Sequence, residues 1–280
     1  MTAREQVGRL GVWRSAPEAT PELAAHVEQL GFGTLWLGAS PAGDLHDVDP
    51  LLAATSSLTV ATGIVNVWQS DPRETAAAYA RLEDAYPGRF LLGVGIGHPE
   101  ATREYASPYD TLRRYVEDVL DAGVPASRLV LAALGPRVLR LAADRTAGAH
   151  PYLVTPEHTR LARSVLGPEL LLAPEHKVVL DPDPERGRAL GRQRVANPYL
   201  HLSNYTSNLR RLGWSEDDIA APGSDALIDA LVAHGNDADV ATALQQHFAA
   251  GADHVAVQLL LPPDADVFAE YRHLAHAVGL

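Results

Sequence analysis

The chain has 280 residues, a formal net charge of −12 and no cysteine. The acidity argues against nucleic acid or an anionic membrane surface as the main partner. The missing thiols exclude disulfides, zinc–thiolate centres and a cysteine nucleophile. The length fits an α/β barrel of about 250 residues, and we expect one such domain over residues 1–280. Residues 1–6 are polar, and no run approaches the ~18 apolar residues of a membrane span; a cytoplasmic protein is expected.

In chain order, apolar runs of strand length fall at 8–13, 34–38, 58–67, 90–96, 129–134, 149–154, 177–181 and 254–260. None alternates cleanly, which predicts strands buried on both faces, as in a parallel sheet covered by helices. Between them the pattern of a capping residue followed by proline recurs: Thr20-Pro21, Asp71-Pro72, Ser107-Pro108, Gly135-Pro136, Thr155-Pro156 and Asp183-Pro184. Proline suits the first helical position, where its missing N–H would have no intrahelical partner. Eight strands alternating with helices predict a (β/α)8 barrel rather than a doubly wound open sheet, and no GxGxxG follows the first strand. The long connection between the seventh and eighth strands, 182–253, is predicted to be largely helical: 185–202, a turn at 203–208, then helices over 225–233 and 238–249. Its polar, aromatic stretch 204–214 reads as a surface loop.

A barrel carries its active site at the C-terminal strand ends. Here those ends are Trp13, Gly38-Ala39-Ser40, Asn66-Val67-Trp68, Gly95-Ile96-Gly97-His98, Leu134-Gly135, His150-Pro151-Tyr152, Asp181 and Gln258. Glycines, aromatics and amides with few charges suit a flat ligand better than a metal or a sugar. No metal is expected, because no HxH, HExxH or carboxylate cluster falls there. No GxSxG elbow supports a serine hydrolase, and paired catalytic acids are missing. Lysine chemistry would have only Lys177, the single lysine. At Gly135-Pro136 an apolar strand runs into a helix; the free N–H groups at such a helix start offer a site for a phosphate or carboxylate.

The segments TGIVNVW (62–68), RFLLGVGIGH (89–98), LAALGPRVLRLA (131–142) and GAHPYLVTPEHT (148–159) resemble the bacterial luciferase-like flavin and deazaflavin oxidoreductases. The likeness runs from LGVW (10–13) to AGADHVAVQ (250–258) and is strongest to the subgroup that uses coenzyme F420. The resemblance implies an F420-dependent oxidoreductase that transfers hydride to or from a small organic substrate. It also implies a homodimer. The ring would lie in the barrel mouth on a bulge near Val65-Asn66, often with a non-prolyl cis peptide. Gly95 and Gly97 would leave it room. Its tail phosphate would lie on the turn formed by Ala133, Leu134, Gly135 and Pro136, with His150 and Tyr152 along the ring edge or tail. His98 is the expected proton donor and a further cofactor contact. Trp13, Ser40 and Trp68 would form the substrate wall. The alternatives are an FMN-dependent monooxygenase and a barrel that has lost its chemistry.

Overall fold

The computed structural model describes residues 2–97 and 107–280. Its strands are β1 (Leu10–Ser15), β2 (Thr34–Gly38), β3 (Thr59–Thr62), β4 (Val65–Asn66), β5 (Phe90–Gly95), β6 (Leu129–Leu131), β7 (Gly148–Ala149), β8 (Leu171–Leu172), β9 (Glu175–Val179), β10 (Val232–His234) and β11 (Val255–Leu259). All pair in parallel in one curled sheet. Its eight staves are β1, β2, β3 with β4, β5, β6, β7, β8 with β9, and β11; the ring closes where β11 meets β1. The protein is a (β/α)8 barrel.

Burial explains why the strand sequences do not alternate. All five residues of β2 and all six of β5 are buried. Trp36, Ala61, Leu91, Val130, Leu171 and Ala256 pack inside the barrel, while Leu35, Leu37, Val60, Leu92, Leu129 and Leu131 pack outward under the helices. Side chains still take opposite faces in turn, but both faces are apolar.

The predicted helix starts form. Thr20 accepts a hydrogen bond from the Leu23 N–H at 3.2 Å, and Asp71 accepts one from the Arg73 N–H at 2.9 Å. Ser107 and Asp183 cap their helices in the same way. The helices Pro136–Arg145 and Pro156–Leu166 differ, because neither Gly135 nor Thr155 supplies a side-chain cap. Both start at the C-terminal end of the barrel.

Three expectations are corrected. The run 58–67 is two strands, not one. Val60 and Ala61 pair with Phe90 and Leu91, whereas Val65 and Asn66 pair with Val94 and Gly95. Three residues, 62–64, thus oppose two, 92–93, which is a β-bulge. The connection 182–253 contains a strand, β10, where a helix end was predicted; it adds to the edge of β9. Residues 203–208 belong to the helix Ser203–Arg211 rather than to a turn.

Glu28, on the helix Pro21–Gln29, ties the start of β3. Against the cost of partial burial, the backbone N–H groups of Ser57 (2.6 Å), Leu58 (2.8 Å) and Ser56 (2.9 Å) hold its carboxylate and lower its pKa to about 2. A carboxylate with a lowered folded-state pKa stabilises the fold fully above its unfolded pKa and loses that contribution as pH falls toward the folded value. Glu28→Gln is therefore expected to cost about 2 kcal/mol at pH 7. In urea titrations the gap between variant and parent should close between pH 4.5 and pH 2.

Candidate functional site

The strand ends and the connection 182–253 enclose a cavity of about 840 Å³. Trp13, Ser40, Gly97, Ala133, Leu134, Gly135, His150 and Tyr152 line it, as does Gln258. His98 lies outside the described residues. Val65, Asn66, Gly95, Pro136 and Trp68 lie behind the wall or beside it, and Gly63 and Ile64 occupy the place expected for Val65-Asn66.

The bulge is the reason for this shift. Thr62 Oγ1 donates to the Gly93 carbonyl and accepts from the Gly93 N–H, each at 2.8 Å, and so bridges the gap in the ladder. The next peptide, Gly63-Ile64, is cis and faces the cavity. Beyond it Val65 turns into the packing under the helices. Asn66 Oδ1 accepts from the Trp68 N–H at 3.0 Å and closes the following turn, while Trp68 packs against the same core. The two glycines make room for protein rather than directly for a ligand. A Cβ on Gly95 would come within 2.8 Å of Ala132 and 3.0 Å of Ile64, and one on Gly97 would strike the Asn66 carboxamide.

The floor holds two polar atoms with no protein partner. His150 stacks on Trp36, with ring centroids 4.0 Å apart, and donates from Nδ1 to the Ala173 carbonyl at 2.7 Å. That bond fixes the tautomer and leaves Nε2 as a bare acceptor. Burial pushes the His150 pKa down to about 3 despite the bond to Ala173. Trp13 Nε1 is an indole donor, also buried and also without an acceptor. A Cβ built on Gly63 would lie 2.8 Å from His150 Nε2 and 3.2 Å from Trp13 Nε1, so only glycine leaves the pair open. Gly38 is bare for a related reason: the Trp13 indole lies where its Cβ would be.

At one side of the cavity, Gly135 opens the helix Pro136–Arg145 with nothing within 4 Å of its would-be Cβ. The turn is held from below by His158 Nε2, which donates to the Leu134 carbonyl at 2.9 Å. Thr155 Oγ1, at the adjacent helix start, is buried and unpartnered. Of the two uncapped helix starts, Gly135 lines the cavity and Thr155 does not; the free N–H groups at the Gly135 turn suit an anion.

Of the opposite wall, Tyr152 and Gln258 were expected at the strand ends, but Glu175, Tyr199, Arg194 and Arg211 were not. Lys177 Nζ bonds Glu175 Oε1 at 3.0 Å, and both side chains are essentially fully buried. Glu175 Oε2 also accepts from the Leu153 N–H at 3.0 Å. The ammonium lies 4.0 Å from the Tyr152 ring centroid. The Tyr199 hydroxyl donates to the Tyr152 hydroxyl, which donates to Gln258 Oε1, both at 2.9 Å. Arg14, Lys177, Arg194 and Arg211 line the cavity against Glu18 as the lining carboxylate among the described residues. In a chain of net charge −12 this is a locally positive cavity. Asp181, expected at the seventh strand end, instead holds Arg186 through two bonds of 2.8 Å, because β9 ends at Val179. For the unexpected part of this wall, the signal in the sequence was the solitary lysine.

Among the described residues no group of three or more His, Asp or Glu is arranged to hold a metal, and no helix is long and apolar enough to cross a membrane.

Solved structures share this architecture. An F420-dependent secondary alcohol dehydrogenase in complex with an F420-acetone adduct superposes with a TM-score of 0.73 at 16% identity, covering 97% of this chain and 99% of that one. The oxygenating constituent of 3,6-diketocamphane monooxygenase from Pseudomonas putida, in complex with FMN, superposes with a TM-score of 0.66 at 12% identity, covering 97% and 96%. A curated relative, 4-hydroxyprotoasukamycin monooxygenase from Streptomyces nodosus subsp. asukaensis, is 29% identical over 39% of this chain. The match spans about a third of that relative's length, 31%. The sequence profile of the luciferase-like monooxygenases matches residues 4–254, nearly the whole chain. The bulged third stave, the open Gly135 turn and the long connection over the barrel mouth thus belong to a member of the luciferase-like monooxygenase family.

Proposed function

We propose that the chain is an F420-dependent oxidoreductase that moves hydride between the deazaflavin and a small organic substrate. The observation that carries this reading is the cavity's combination of a matched donor and acceptor on its floor with a positive wall. Trp13 Nε1 and His150 Nε2 suit the alternating carbonyl and N–H groups at the edge of a flavin-type ring, and both lack protein partners. F420 carries a phosphate and a carboxylate tail, so it presents more negative charge than FMN to Arg14, Arg194 and Arg211.

On this reading Gly63 and Ile64 support the ring face, Trp13 and His150 hold its polar edge, and the Gly135 turn holds the phosphate. When bound, the cofactor supplies a two-electron hydride chemistry that the side chains cannot. His150 binds and orients. With its pKa near 3 it carries no proton on Nε2 at neutral pH, so it cannot serve as the acid.

The test is titration of the purified protein with F420 and, separately, with FMN, followed by cofactor fluorescence. F420 is expected to bind at least tenfold more tightly. Gly135→Asp is expected to weaken F420 at least ~30-fold, or about 2 kcal/mol. Aspartate is a favoured N-cap with open space around it, so the fold should be undisturbed. Preference for FMN would favour an oxygen-activating monooxygenase, and binding of neither would favour a barrel without chemistry.

A further inference from the structure

Gln258 presents a donor to the cavity that the protein itself does not use. Its Oε1 accepts from the Tyr152 hydroxyl at 2.9 Å. Tyr152 has one phenolic proton, and its oxygen already accepts from Tyr199 at 2.9 Å, so that proton goes to Gln258. Burial, with Glu175 adding to it, holds the Tyr152 pKa well above the ordinary phenol range, so the bond persists through neutral pH. The carboxamide is thereby fixed with its oxygen toward Tyr152 and its NH2 group turned away. Neither Nε2 hydrogen meets an acceptor among the described residues, and Gln258 lines the cavity.

Two more nitrogen donors flank it. On one side β11 pairs with β9, which sets Gln258 opposite Lys177; on the other it pairs with β1, where Val12 is opposite Val257 and Trp13 comes next. Lys177, Gln258 and Trp13 thus sit on three adjacent staves, and all three line the cavity. The carboxylate on this side is already engaged: Glu175 Oε1 by Lys177 Nζ and Oε2 by the Leu153 N–H, each at 3.0 Å. Around the barrel, Gln258 lies on the side of Trp13 away from β2, and so away from the Gly63-Ile64 peptide of the third stave. A fixed N–H dipole beside a buried ammonium suits an oxygen that gains negative charge during a reaction.

We propose that Gln258 is the hydrogen-bond donor to the substrate's reacting oxygen, and that the substrate is a carbonyl compound that accepts hydride at its carbonyl carbon. The inference rests on the hydride reading above. The carbonyl carbon takes hydride from the reduced deazaflavin, the C=O π pair moves to oxygen, and the alkoxide so formed takes its proton from solvent. Gln258 holds that oxygen throughout without giving up a proton, and Lys177 lends the positive charge beside it. Gln258 is thus a catalytic residue. Tyr152 is a positioning residue, because it acts by keeping the carboxamide from turning.

The probes are acetophenone and α-methylstyrene, in which CH2 replaces the oxygen. On the cofactor-free protein, ligand-observed NMR measures both affinities, and infrared difference spectra of carbonyl-labelled acetophenone read the bound C=O. The parent should bind acetophenone about tenfold more tightly than the styrene, with its stretch lowered by the hydrogen bond. Gln258→Leu should shrink the preference to about twofold or less and return the stretch to its position in an apolar solvent. Gln258→Glu keeps the shape of the side chain and the bond to Tyr152 but puts an oxygen where the NH2 was, so it should erase both signals in a protein with the parent's circular dichroism. Tyr152→Phe leaves Gln258 free to turn and should split the carbonyl band into a shifted and an unshifted component. Equal affinities for the two probes in the parent, or binding of neither, overturns the proposal, as does a preference or a lowered stretch that survives in both Gln258 variants. A single lowered band in Tyr152→Phe overturns the positioning role. Loss of F420 affinity in Gln258→Leu with the ketone preference intact would give the donor to the cofactor ring and overturn the substrate assignment. Failure of the parent to bind F420 while the ketone preference stands overturns the hydride reading alone.

Discussion

Gly93→Ala should destabilise the barrel by about 3 kcal/mol or more, enough to leave much of the protein unfolded at 37 °C. Gly93 lies in β5 opposite the bulge, where a Cβ would press into the Thr62 carbonyl oxygen. That oxygen belongs to the backbone and cannot swing aside as a flexible side chain would. Thr62 is fixed further by the two hydrogen bonds its hydroxyl makes to Gly93. Relief would require β3 and β5 to part, which would carry Gly63 and Ile64 out of the cavity wall. Urea denaturation should show the midpoint falling sharply; on the F420 reading proposed above, F420 affinity should also be lost in whatever fraction remains folded. A variant that unfolds at the parent's midpoint would mean that the β3–β5 gap is pliable and that the bulge is not a rigid support.

The same bulge marks the limit of what the sequence could say. The segment 34–38 was predicted and observed with identical bounds, because its Leu-Trp-Leu centre is apolar and it ends in glycine. The run 58–67 is equally apolar, and nothing in it shows one residue too many for the ladder; only pairing with β5 reveals the extra residue. That shift of two positions moved Gly63 and Ile64 into the cavity in place of Val65 and Asn66. Strand β10 was hidden for a different reason. Leu227, Ile228, Leu231 and Val232 satisfy helical spacing, and the helix Asp225–Leu231 does form before the chain extends. The choice between the two periods at Val232 was made by β9, not by local propensity. The Trp13, His150, Tyr152 and Gly135 parts of the cavity were legible, since each sits at or just past a strand end. Tyr199, Asn204 and Arg211 were not: Tyr199 fell in a segment predicted as a helix, and Asn204 and Arg211 in the polar, aromatic stretch that reads as surface until it is folded over the barrel mouth.

Lys177 and Glu175 offer a sharper test of how that mouth is held. The pair is buried, and burial pushes the Lys177 pKa below the ordinary lysine range even with Glu175 beside it. Desolvation therefore outweighs the mutual attraction, the usual balance for an ion pair taken out of water. Removing one partner leaves the other charge buried without compensation. Lys177→Met and Glu175→Gln should each cost roughly 3–5 kcal/mol at pH 7. The double variant should recover most of that, because Met fills the lysine's volume and Gln keeps an acceptor for the Leu153 N–H. Chemical denaturation of the four proteins measures the coupling directly as a double-mutant cycle. A large positive recovery would show that the pair adds little net stability to the barrel. If the double variant were as unstable as the sum of the singles, the lysine would be holding the wall through its packing against Tyr152 and Tyr199 rather than through its charge.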